Sequence, residues 1–473
     1  MRILLVRAKP DFMDMLIGIP SGLALVGAIA EKMNHEVEIL DLALEQKQET
    51  ADQLLQRKLR EKHFDVAGLT AMTVEFECAA RVARMIKAAH PQMPIVFGGQ
   101  HPTIKAEDVA SRDFCDYVVR GEGEQTFAEF LAALEAGAEM DQVPGLAFKK
   151  NGNVVTTAKR DLIQNLDSLP YPAYHLLDIE RYFTSLSART TPRNKRCMQI
   201  FTSRGCPWHC IYCHDLFGKG FRARSPENVM KEIRMLYDRY RICDFMVEDD
   251  IFNFDMKRAK KIFDLIKSSG LKLNFQFNCG LRMELFDEEL VRKMAEGGTY
   301  FVSVAVETAS PRVQKVIRKN LNLSRSKEVV SWLRKYRIRS LGFFMLGLPT
   351  ETEEETNQTI KFACDLDLDE ALFSIATPYP GTELNRQIAE KKMYDPDKVS
   401  LGGEKFHQIR TEELDFVRLK KLQRKAYFMF FMTRYRFLRM LPRLLNVNSS
   451  KKYLKAIERN FLAYGGARST RVN

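Results

Sequence analysis

Three cysteines within eight residues constrain this 473-residue chain more than any other feature. Cys206, Cys210 and Cys213 follow the apolar run Met198–Phe201 and have the spacing C-x3-C-x2-C. Three thiolates this close can ligate three irons of a [4Fe–4S] cluster, and the fourth iron is then left without a protein ligand. Because that iron can bind a small molecule, the spacing favours a reaction centre over a simple electron carrier.

Two other interpretations of the cysteines stay open at this point. The same thiolates could hold zinc with His209 or His214, although structural zinc sites usually take a second ligand pair further along the chain and Cys243 stands alone there. A disulfide framework is disfavoured, because nine cysteines are scattered through a long chain whose first residues do not form a secretory signal. We therefore expect a cytoplasmic protein with reduced thiols.

Residues 1–140 alternate short apolar strands with helical stretches, which is typical of a parallel, doubly wound, Rossmann-like α/β sheet. Such sheets bind ligands beyond the carboxyl ends of their strands. Three segments fall at those ends, Thr70–Thr73, Gly98–His101 and Gly121–Glu124. Adjacent glycines let a backbone approach a bulky ligand, but a tight turn without a ligand is the simpler explanation of two glycines taken alone.

A second βα series begins at residue 197 and continues to about residue 390. The intervening residues 141–196 have the turn-rich composition of a linker, as in the proline-containing segment 165–173. Six strand candidates alternate with helices in the second series, and this number predicts a partial (β/α)6 barrel. By analogy with full barrels, catalytic groups are expected at the carboxyl ends of the strands, where the cysteine loop lies.

Residues 391–473 are predicted to form a helical, basic C-terminal region. From Arg418 to Asn473, fifteen Lys or Arg residues stand against the single acid Glu458, so this segment carries +14 and the rest of the chain about −2. Aromatic residues are interleaved with the cations, for example in 427–432 and 434–439. The pattern suits an amphipathic helix on anionic lipid and equally a helix whose apolar side packs on the barrel. No nucleic-acid partner is expected, because no recognition motif accompanies the charge.

The cysteine segment resembles the cluster loop of radical S-adenosylmethionine (SAM) enzymes. Its flanks, Cys213–Gly218 and Arg222–Val229, are similar to those of the subgroup with a cobalamin (B12)-binding domain ahead of the barrel, and the resemblance extends from about Met1 to about Leu384. It implies a cobalamin-binding domain at 1–140, a linker at 141–196 and a radical SAM barrel at 197–390. It also implies that the three cysteines hold a [4Fe–4S] cluster whose open iron binds SAM.

The resemblance implies cobalamin contacts in the three glycine-containing or polar segments of the N-terminal domain. The residues expected there are Thr70, Thr73, Gly98, Gly99, His101, Gly121 and Glu122. The motif Asp-x-His-x-x-Gly, which supplies an axial imidazole in many other cobalamin proteins, is absent. Its absence agrees with the subgroup, and it also agrees with a degenerate domain that binds nothing.

For SAM, the resemblance points to residues at the ends of successive barrel strands. Tyr212 is expected near the adenine, Asp249 and Asp250 at the ammonium group, Arg282 at a carboxylate, Glu307 at the ribose, Gly347 beside the adenine and Tyr379 facing the substrate. A structural role also explains each of these residues taken singly. Five of them at successive strand ends are harder to explain in that way.

The activity that the resemblance implies is methylation of an unactivated carbon, through a 5′-deoxyadenosyl radical and methylcobalamin. Cyclisation, ring rearrangement or oxidation without methyl transfer uses the same motifs and stays open, as does a non-catalytic zinc-binding protein. The cluster would need a reducing partner of the flavodoxin or ferredoxin type. Similar basic tails in the subgroup suggest a small hydrophobic or lipid-like substrate and peripheral contact with a membrane.

Overall fold

The computed structural model describes residues 1–9, 18–44, 49–185, 192–391, 393, 411–433 and 436. The strands are β1 (Arg2–Arg7), β2 (Glu36–Asp41), β3 (Val66–Thr70), β4 (Ile95–Gly98), β5 (Tyr117–Val119), β6 (Leu146–Lys150), β7 (Asn153–Thr156), β8 (Cys197–Ile200), β9 (Ser203–Arg204), β10 (Arg222–Ala223), β11 (Asp244–Val247), β12 (Asn274–Leu281), β13 (Thr299–Glu307), β14 (Arg339–Leu346) and β15 (Glu370–Ile375). The helices are α1 (Ser21–Lys32), α2 (Ala51–Glu61), α3 (Phe76–Ala89), α4 (Gln100–Ile104), α5 (Ala106–Ala110), α6 (Gly123–Ala136), α7 (Ile179–Ser185), α8 (Pro226–Tyr240), α9 (Met256–Ser268), α10 (Glu288–Glu296), α11 (Pro311–Val316), α12 (Arg325–Lys335), α13 (Glu353–Asp365), α14 (Glu383–Glu390) and α15 (Phe416–Met432).

The first sheet has the strand order β2-β1-β3-β4-β5-β6-β7. Strands β1 to β5 pair in parallel, as the sequence predicts, and apolar clusters cover both faces of the sheet. The strand order reverses between β1 and β3, so a crevice is expected at their carboxyl ends. This arrangement confirms the doubly wound α/β fold.

The hairpin β6–β7 extends the first sheet beyond β5 and pairs with it in antiparallel orientation. The sequence analysis assigned this hairpin to the linker, because its strands are short and its outer residues are polar. The strands form since β5 otherwise presents an open edge, which β6 covers by antiparallel pairing.

The second sheet has six parallel strands in the order β15-β14-β13-β12-β11-β8. All six correspond to the predicted barrel strands, with ends that differ by a few residues. Strand β12 continues to Leu281, so Cys279 and Gly280 belong to the strand and do not follow it. The carboxyl ends of the six strands share one edge, where the cysteine loop lies.

Helix α15 packs on the outside of this barrel. Its buried residues include Leu419, Leu422 and Phe430, and the Phe430 ring lies 6.2 Å from that of Phe373 in β15. Of the two interpretations of the basic tail, packing on the barrel is therefore correct for α15. Arg436, which both interpretations of the tail place on an outer surface, is 1% exposed and donates hydrogen bonds to carbonyls that follow α13, including Leu368.

The remaining tail predictions, for residues 434–435 and 437–473, lie outside the described residues. Within the ranges that the structure describes, no helix is both long enough and apolar enough to cross a membrane.

Candidate active site

The cysteine loop is closed at both ends by a short antiparallel pair of strands. Arg204 of β9 pairs with Arg222 of β10, so the segment 205–221 leaves and returns at the same place. Gly205 has φ = +80°, and a Cβ there would lie 2.1 Å from the carbonyl oxygen of Gly220. Only glycine allows the chain to cross itself this closely just before Cys206.

The three cysteines are unpaired thiols in different environments. Cys206 is partly buried, Cys210 is buried and Cys213 is exposed. A hydrogen bond between the two thiols lowers the pKa of Cys210 and raises the pKa of Cys213, and the nearby charge of Lys319 also lowers the pKa of Cys210. Cys210 is therefore biased towards the thiolate, the form that ligates iron.

The fit to a [4Fe–4S] cluster rests on the chemistry of these donors. In the described part of the chain, no group of three or more His, Cys, Asp or Glu side chains is arranged to hold a metal ion. Three free thiols on one closed loop, one of them biased towards the thiolate, are nevertheless the ligand set that a cluster with one open iron requires.

The two aspartates after β11 hold the base of the cysteine loop. Asp249 is buried and accepts hydrogen bonds from the amide of Thr202 (2.6 Å), its hydroxyl (2.5 Å) and the hydroxyl of Ser203 (2.6 Å). Asp250 accepts one from the amide of Gly205 at 2.8 Å. Both residues lie next to the loop as predicted, but the carboxylate of Asp249 already has three protein donors. Contact with the SAM ammonium group stays a prediction for both.

Glu248, which the sequence analysis did not select, is the third carboxylate at this strand end. It accepts hydrogen bonds from the Cys279 thiol (3.1 Å) and from the Asn278 amide (3.5 Å), both in β12. Burial raises the pKa of Glu248. The run Glu248-Asp249-Asp250 was the available signal, but only the tertiary structure distinguishes the carboxylate directed to β12 from the two bound to the loop.

Arg282 connects the end of β12 to the cysteine loop. Its guanidinium lies over the ring of Trp208, with 4.1 Å between Cζ and the ring centroid. The same side chain donates to Glu284 at 2.6 Å and to the carbonyl of Lys319 at 2.7 Å. The carboxylate that Arg282 meets in this structure is therefore that of Glu284, and a contact with the SAM carboxylate stays a prediction.

Glu307 ends β13 in an unusual backbone conformation. Its φ is +68°, which is rare for a residue other than glycine, and the pairing of β13 with β14 shifts register between Ala305 and Glu307. The side chain is buried, and Lys319 Nζ lies 3.8 Å from its Oε1. The sequence analysis missed Lys319, because its place depends on the turn after α11 and no local motif marks it.

The other predicted SAM and substrate residues lie around β14 and β15. Tyr212 packs with Met345 against an apolar cluster beside β14. Gly347 has φ = +75°, and a Cβ there would lie 2.8 Å from Leu419 of α15. Tyr379 is 39% exposed, and its ring lies 5.9 Å from that of His214 in the cysteine loop. Of the three, Tyr212 and Tyr379 lie near the cysteines. At Gly347, the position that a side chain would occupy is directed towards α15.

A cavity of about 310 Å³ lies between the carboxyl edge of the first sheet and the base of the cysteine loop. Its walls include five of the residues predicted to contact cobalamin, Thr70, Gly98, Gly99, Gly121 and Glu122. Leu216 and Phe217 of the cysteine loop complete the opposite wall. The cavity thus extends from the predicted cobalamin residues to the cysteine loop, and none of the three cysteines lines it.

Two of the predicted cobalamin residues, Thr73 and His101, do not line this cavity. His101 is buried and stacks on Phe76, with 4.2 Å between the ring centroids, and burial lowers its pKa to about 4. Contact of Thr73 or His101 with cobalamin stays a prediction.

The cavity has two features that fit a large, amide-rich ligand. Gly99 has φ = +94°, and a Cβ there would lie 2.6 Å from the hydroxyl of Thr70, so the two strand ends meet closely only with glycine at this position. In the same wall, one buried oxygen of Glu124 has no hydrogen-bond partner in the protein. A ligand with N–H donors, such as cobalamin, would satisfy it.

Comparison with known proteins agrees with this arrangement of two sites. A family profile described as "B12 binding domain" matches residues 16–131, and one described as "Radical SAM superfamily" matches residues 200–363. The "Uncharacterized methyltransferase PH0819" of Pyrococcus horikoshii is 35% identical over 88% of each chain. Cytidylyl-2-hydroxyethylphosphonate methyltransferase of Streptomyces wedmorensis is 30% identical over 80% of this chain and 79% of that protein.

A relative with a different activity and two solved structures are also similar. Anaerobic magnesium-protoporphyrin IX monomethyl ester cyclase of Rubrivivax gelatinosus is 28% identical over 71% of this chain and 60% of its own. The methyltransferase TsrM of Kitasatospora setae, with cobalamin and a [4Fe–4S] cluster bound, has a TM-score of 0.67 at 21% identity over 84% of this chain and 76% of its own. The radical enzyme OxsB with aqua-cobalamin has a TM-score of 0.76 at 15% identity over 97% and 71%.

The two profiles give this chain a cobalamin-binding domain followed by a radical SAM domain, the two solved structures share its fold, and the relative with 35% identity is matched over most of both chains. The three thiols on a closed loop and the adjoining cavity at the edge of the first sheet belong to the same arrangement. This chain is therefore a member of the cobalamin-dependent radical SAM enzymes, which act with cobalamin, a [4Fe–4S] cluster and SAM.

Proposed function

We propose that the protein is a methyltransferase that methylates an unactivated carbon of a small molecule. The observation that carries this proposal is the single cavity that joins the edge of the first sheet at Gly98 and Gly99 to the cysteine loop at Phe217. A cavity that extends from the predicted cobalamin residues to the loop that carries the cysteines suits a reaction in which a group passes from one cofactor region to the other. The names of the two relatives with at least 30% identity support methyl transfer.

The bound cofactors supply a carbon-centred radical and a transferable methyl group, which are needed because an unactivated carbon has no proton that a side-chain base could remove. The contribution of the chain is to position them. Arg282 supports the cysteine loop from the end of β12 through its contact with Trp208, while Asp249 and Asp250 fix the base of the loop. Cys206, Cys210 and Cys213 would hold the cluster.

The SAM site in this proposal lies between the strand ends and the loop. Glu248 is added to the predicted contacts, because it is the carboxylate at this edge that faces β12, where it could accept from the ammonium group. The roles expected for Tyr212, Arg282, Glu307 and Gly347 are retained as part of the proposal. A low-potential electron donor of the flavodoxin or ferredoxin type would reduce the cluster.

An apolar substrate is supported by the exposed surface around the site. Within the described ranges, seven large apolar side chains are exposed, and four of them follow strands at the carboxyl edges of the two sheets. These four are Met72, Phe201, Phe254 and Tyr379, each at least 39% exposed. Exposed apolar groups at the facing edges of the two sheets favour a surface that binds an apolar molecule.

The methyl-transfer proposal is tested with SAM whose methyl group carries three deuterium atoms. The anaerobic, reconstituted enzyme is incubated with a chemical reductant and an extract of cells that lack the protein. We expect a metabolite to gain a trideuterated methyl group while 5′-deoxyadenosine accumulates, and the Cys210→Ala protein to yield neither. A metabolite altered without label would instead favour cyclisation or oxidation, the alternative that the cyclase relative supports.

Membrane contact through the tail is a separate part of the proposal. Val417, Phe428 and Met432 of α15 are more than half exposed, and most of the basic residues follow this helix. Flotation with vesicles of anionic lipid compares the full chain with a chain that ends at Arg436. Binding that depends on residues 437–473 and falls with added salt would support peripheral attachment, and equal behaviour of the two chains would remove it.

A further inference from the structure

Glu122 of the cobalamin-binding domain binds both strands that flank the cysteine loop. Its Oε1 lies 2.8 Å from Arg204 Nη1 in β9, and its Oε2 lies 2.8 Å from Arg222 Nη1 in β10. The side chains of Glu122 and Arg222 are 2% and 6% exposed. Glu122 lies in the turn between β5 and α6, so this buried ion pair joins the edge of the first sheet to the loop that carries the cluster ligands.

The two arginines also bind the interior of the cysteine loop. Arg222 Nη2 donates to the carbonyl of Phe217 at 2.7 Å, and the Arg204 guanidinium lies 5.3 Å from the centroid of the Phe217 ring. Arg222 Nη1 donates in addition to the carbonyl of Ile163 in the linker, at 2.7 Å. Phe217 itself lines the cavity. A displacement of Glu122 would therefore shift the cysteine loop, because Arg204 and Arg222 contact both Glu122 and Phe217.

Glu124 is the member of this network that has one carboxylate oxygen left unbound. Its Oε1 accepts a hydrogen bond from Arg204 Nη2 at 2.5 Å, whereas its Oε2 is buried without a partner in the protein. The residue is 5% exposed and lines the cavity. A buried carboxylate oxygen without a donor is unfavourable, so a ligand donor in the cavity would be bound there. The amide groups at the rim of a corrin ring are donors of this kind.

We propose that Glu124 binds an amide N–H of cobalamin and that Glu122 and Glu124, through Arg204 and Arg222, couple occupancy of the cavity to the position of the cysteine loop. Glu122 acts as a positioning residue in this scheme, because both of its carboxylate oxygens are already bound by Arg204, Arg222 and the amide of Ile163. The coupling concerns binding and loop order. It is therefore independent of whether the enzyme transfers a methyl group or closes a ring.

The test uses hydrogen–deuterium exchange of the full chain carrying its cluster, with hydroxocobalamin as the probe. In the wild-type protein, hydroxocobalamin is expected to slow exchange across residues 203–223 several-fold. In Glu122→Gln saturated with hydroxocobalamin, with saturation followed by the visible spectrum, most of this protection is expected to be lost. In Glu124→Gln, the affinity for hydroxocobalamin is expected to fall by about tenfold, the size of effect that loss of a charge-assisted hydrogen bond produces.

Asp41→Asn is the matched control. Asp41 is also a buried carboxylate of the N-terminal domain paired with an arginine, Arg7, but it lines neither the cavity nor the loop. Asp41→Asn should leave the affinity for hydroxocobalamin and the protection of residues 203–223 as in the wild type. If Glu122→Gln does not fold, Arg222→Lys is used in its place, since it keeps the charge and loses the forked contacts.

Two results would overturn the proposal. The first is that hydroxocobalamin gives no protection of residues 203–223 in the wild type, or that the protection survives in Glu122→Gln. Either outcome shows that the network does not couple cobalamin binding to the cysteine loop. Unchanged hydroxocobalamin affinity in Glu124→Gln shows that its free oxygen is not a ligand contact. Neither result bears on the trideuterated-methyl experiment, so this proposal and the proposed function fail separately.

Discussion

The guanidinium of Arg282 lies over the indole ring of Trp208, with 4.1 Å between Cζ and the ring centroid. Trp208 stands between the first two cysteines, whereas Arg282 directly follows strand β12. The end of a barrel strand thus supports the middle of the cysteine loop. Arg282 is 4% exposed, so the contact is shielded from water and from salt.

Arg282→Gln should loosen the cysteine loop, because it removes the contact with Trp208 and weakens the bond to Glu284. We expect a loss of about 2–4 kcal/mol in stability and faster release of cluster iron to a ferrous chelator. Arg57→Gln is the control, since Arg57 forms its ion pairs on the exposed helix α2. Iron release at the wild-type rate in Arg282→Gln would show that the loop does not need this support.

Replacement of Cys206, Cys210 or Cys213 by Ala should abolish cluster binding, since each would remove one of three iron ligands. Iron and sulfide contents per chain are expected to fall sharply, and formation of 5′-deoxyadenosine should stop. Cys115→Ala, a buried cysteine of the N-terminal domain, should keep both. A triple variant that still forms 5′-deoxyadenosine would reject the assignment.

Gly99→Ala should impair cobalamin binding more than its backbone strain alone explains. A Cβ at Gly99 would meet the Thr70 hydroxyl at 2.6 Å in the wall of the cavity, in addition to the strain of φ = +94°. Gly152→Ala also places a side chain at a positive φ, +81°, in the β6–β7 hairpin, with no heavy atom within 4 Å. We expect both variants to lose about 1 kcal/mol from strain, and only Gly99→Ala to lose hydroxocobalamin affinity. Equal affinities would place the ligand elsewhere.

The stability of the protein should depend on pH through Glu351. Burial raises the pKa of this carboxyl from 4.5 to about 7, while its Oε2 accepts hydrogen bonds from the amides of Gly347 and Leu348. Between pH 5 and 8 the unfolded state loses its proton before the folded state does, so the free energy of unfolding falls as pH rises. Glu351→Gln cannot ionise and should gain up to about 3 kcal/mol relative to the wild type over this range.

Denaturant unfolding of both proteins at pH 5 and pH 8 measures this difference. A gap between the two proteins that does not change with pH would mean that Glu351 is not titrating in the folded state.

Phe430→Ala should destabilise the barrel by about 3–5 kcal/mol, because Phe430 is fully buried between α15 and β15. Phe428→Ala, two residues away on the same helix and 61% exposed, should change stability by less than about 0.5 kcal/mol. Thermal unfolding of the two variants compares them directly. Similar losses in both would argue against the packing of α15 on the barrel.

The sequence alone determined the order of the elements and the chemistry of the loop. Apolar strands such as Ile3–Val6 and Phe245–Val247 are continuous runs, since strands of a parallel sheet are buried on both faces, and such runs can be recognised without neighbours. The three cysteines were equally evident, because their spacing of three and two residues is a local property. Strands β6 and β7 escaped detection, since they exist only by pairing with the edge of β5.

Only the tertiary structure determined which distant side chains contact each other. Glu122 meets Arg222 across 100 residues of chain, and Arg282 meets Trp208 across 74, so no local pattern marks either pair. The same holds for α15, whose alternating cations and aromatic residues suit a lipid surface as well as they suit the barrel wall. A sequence pattern shows which side of one helix or strand is polar and which is apolar. The surface that packs against the apolar side is determined only by the tertiary fold.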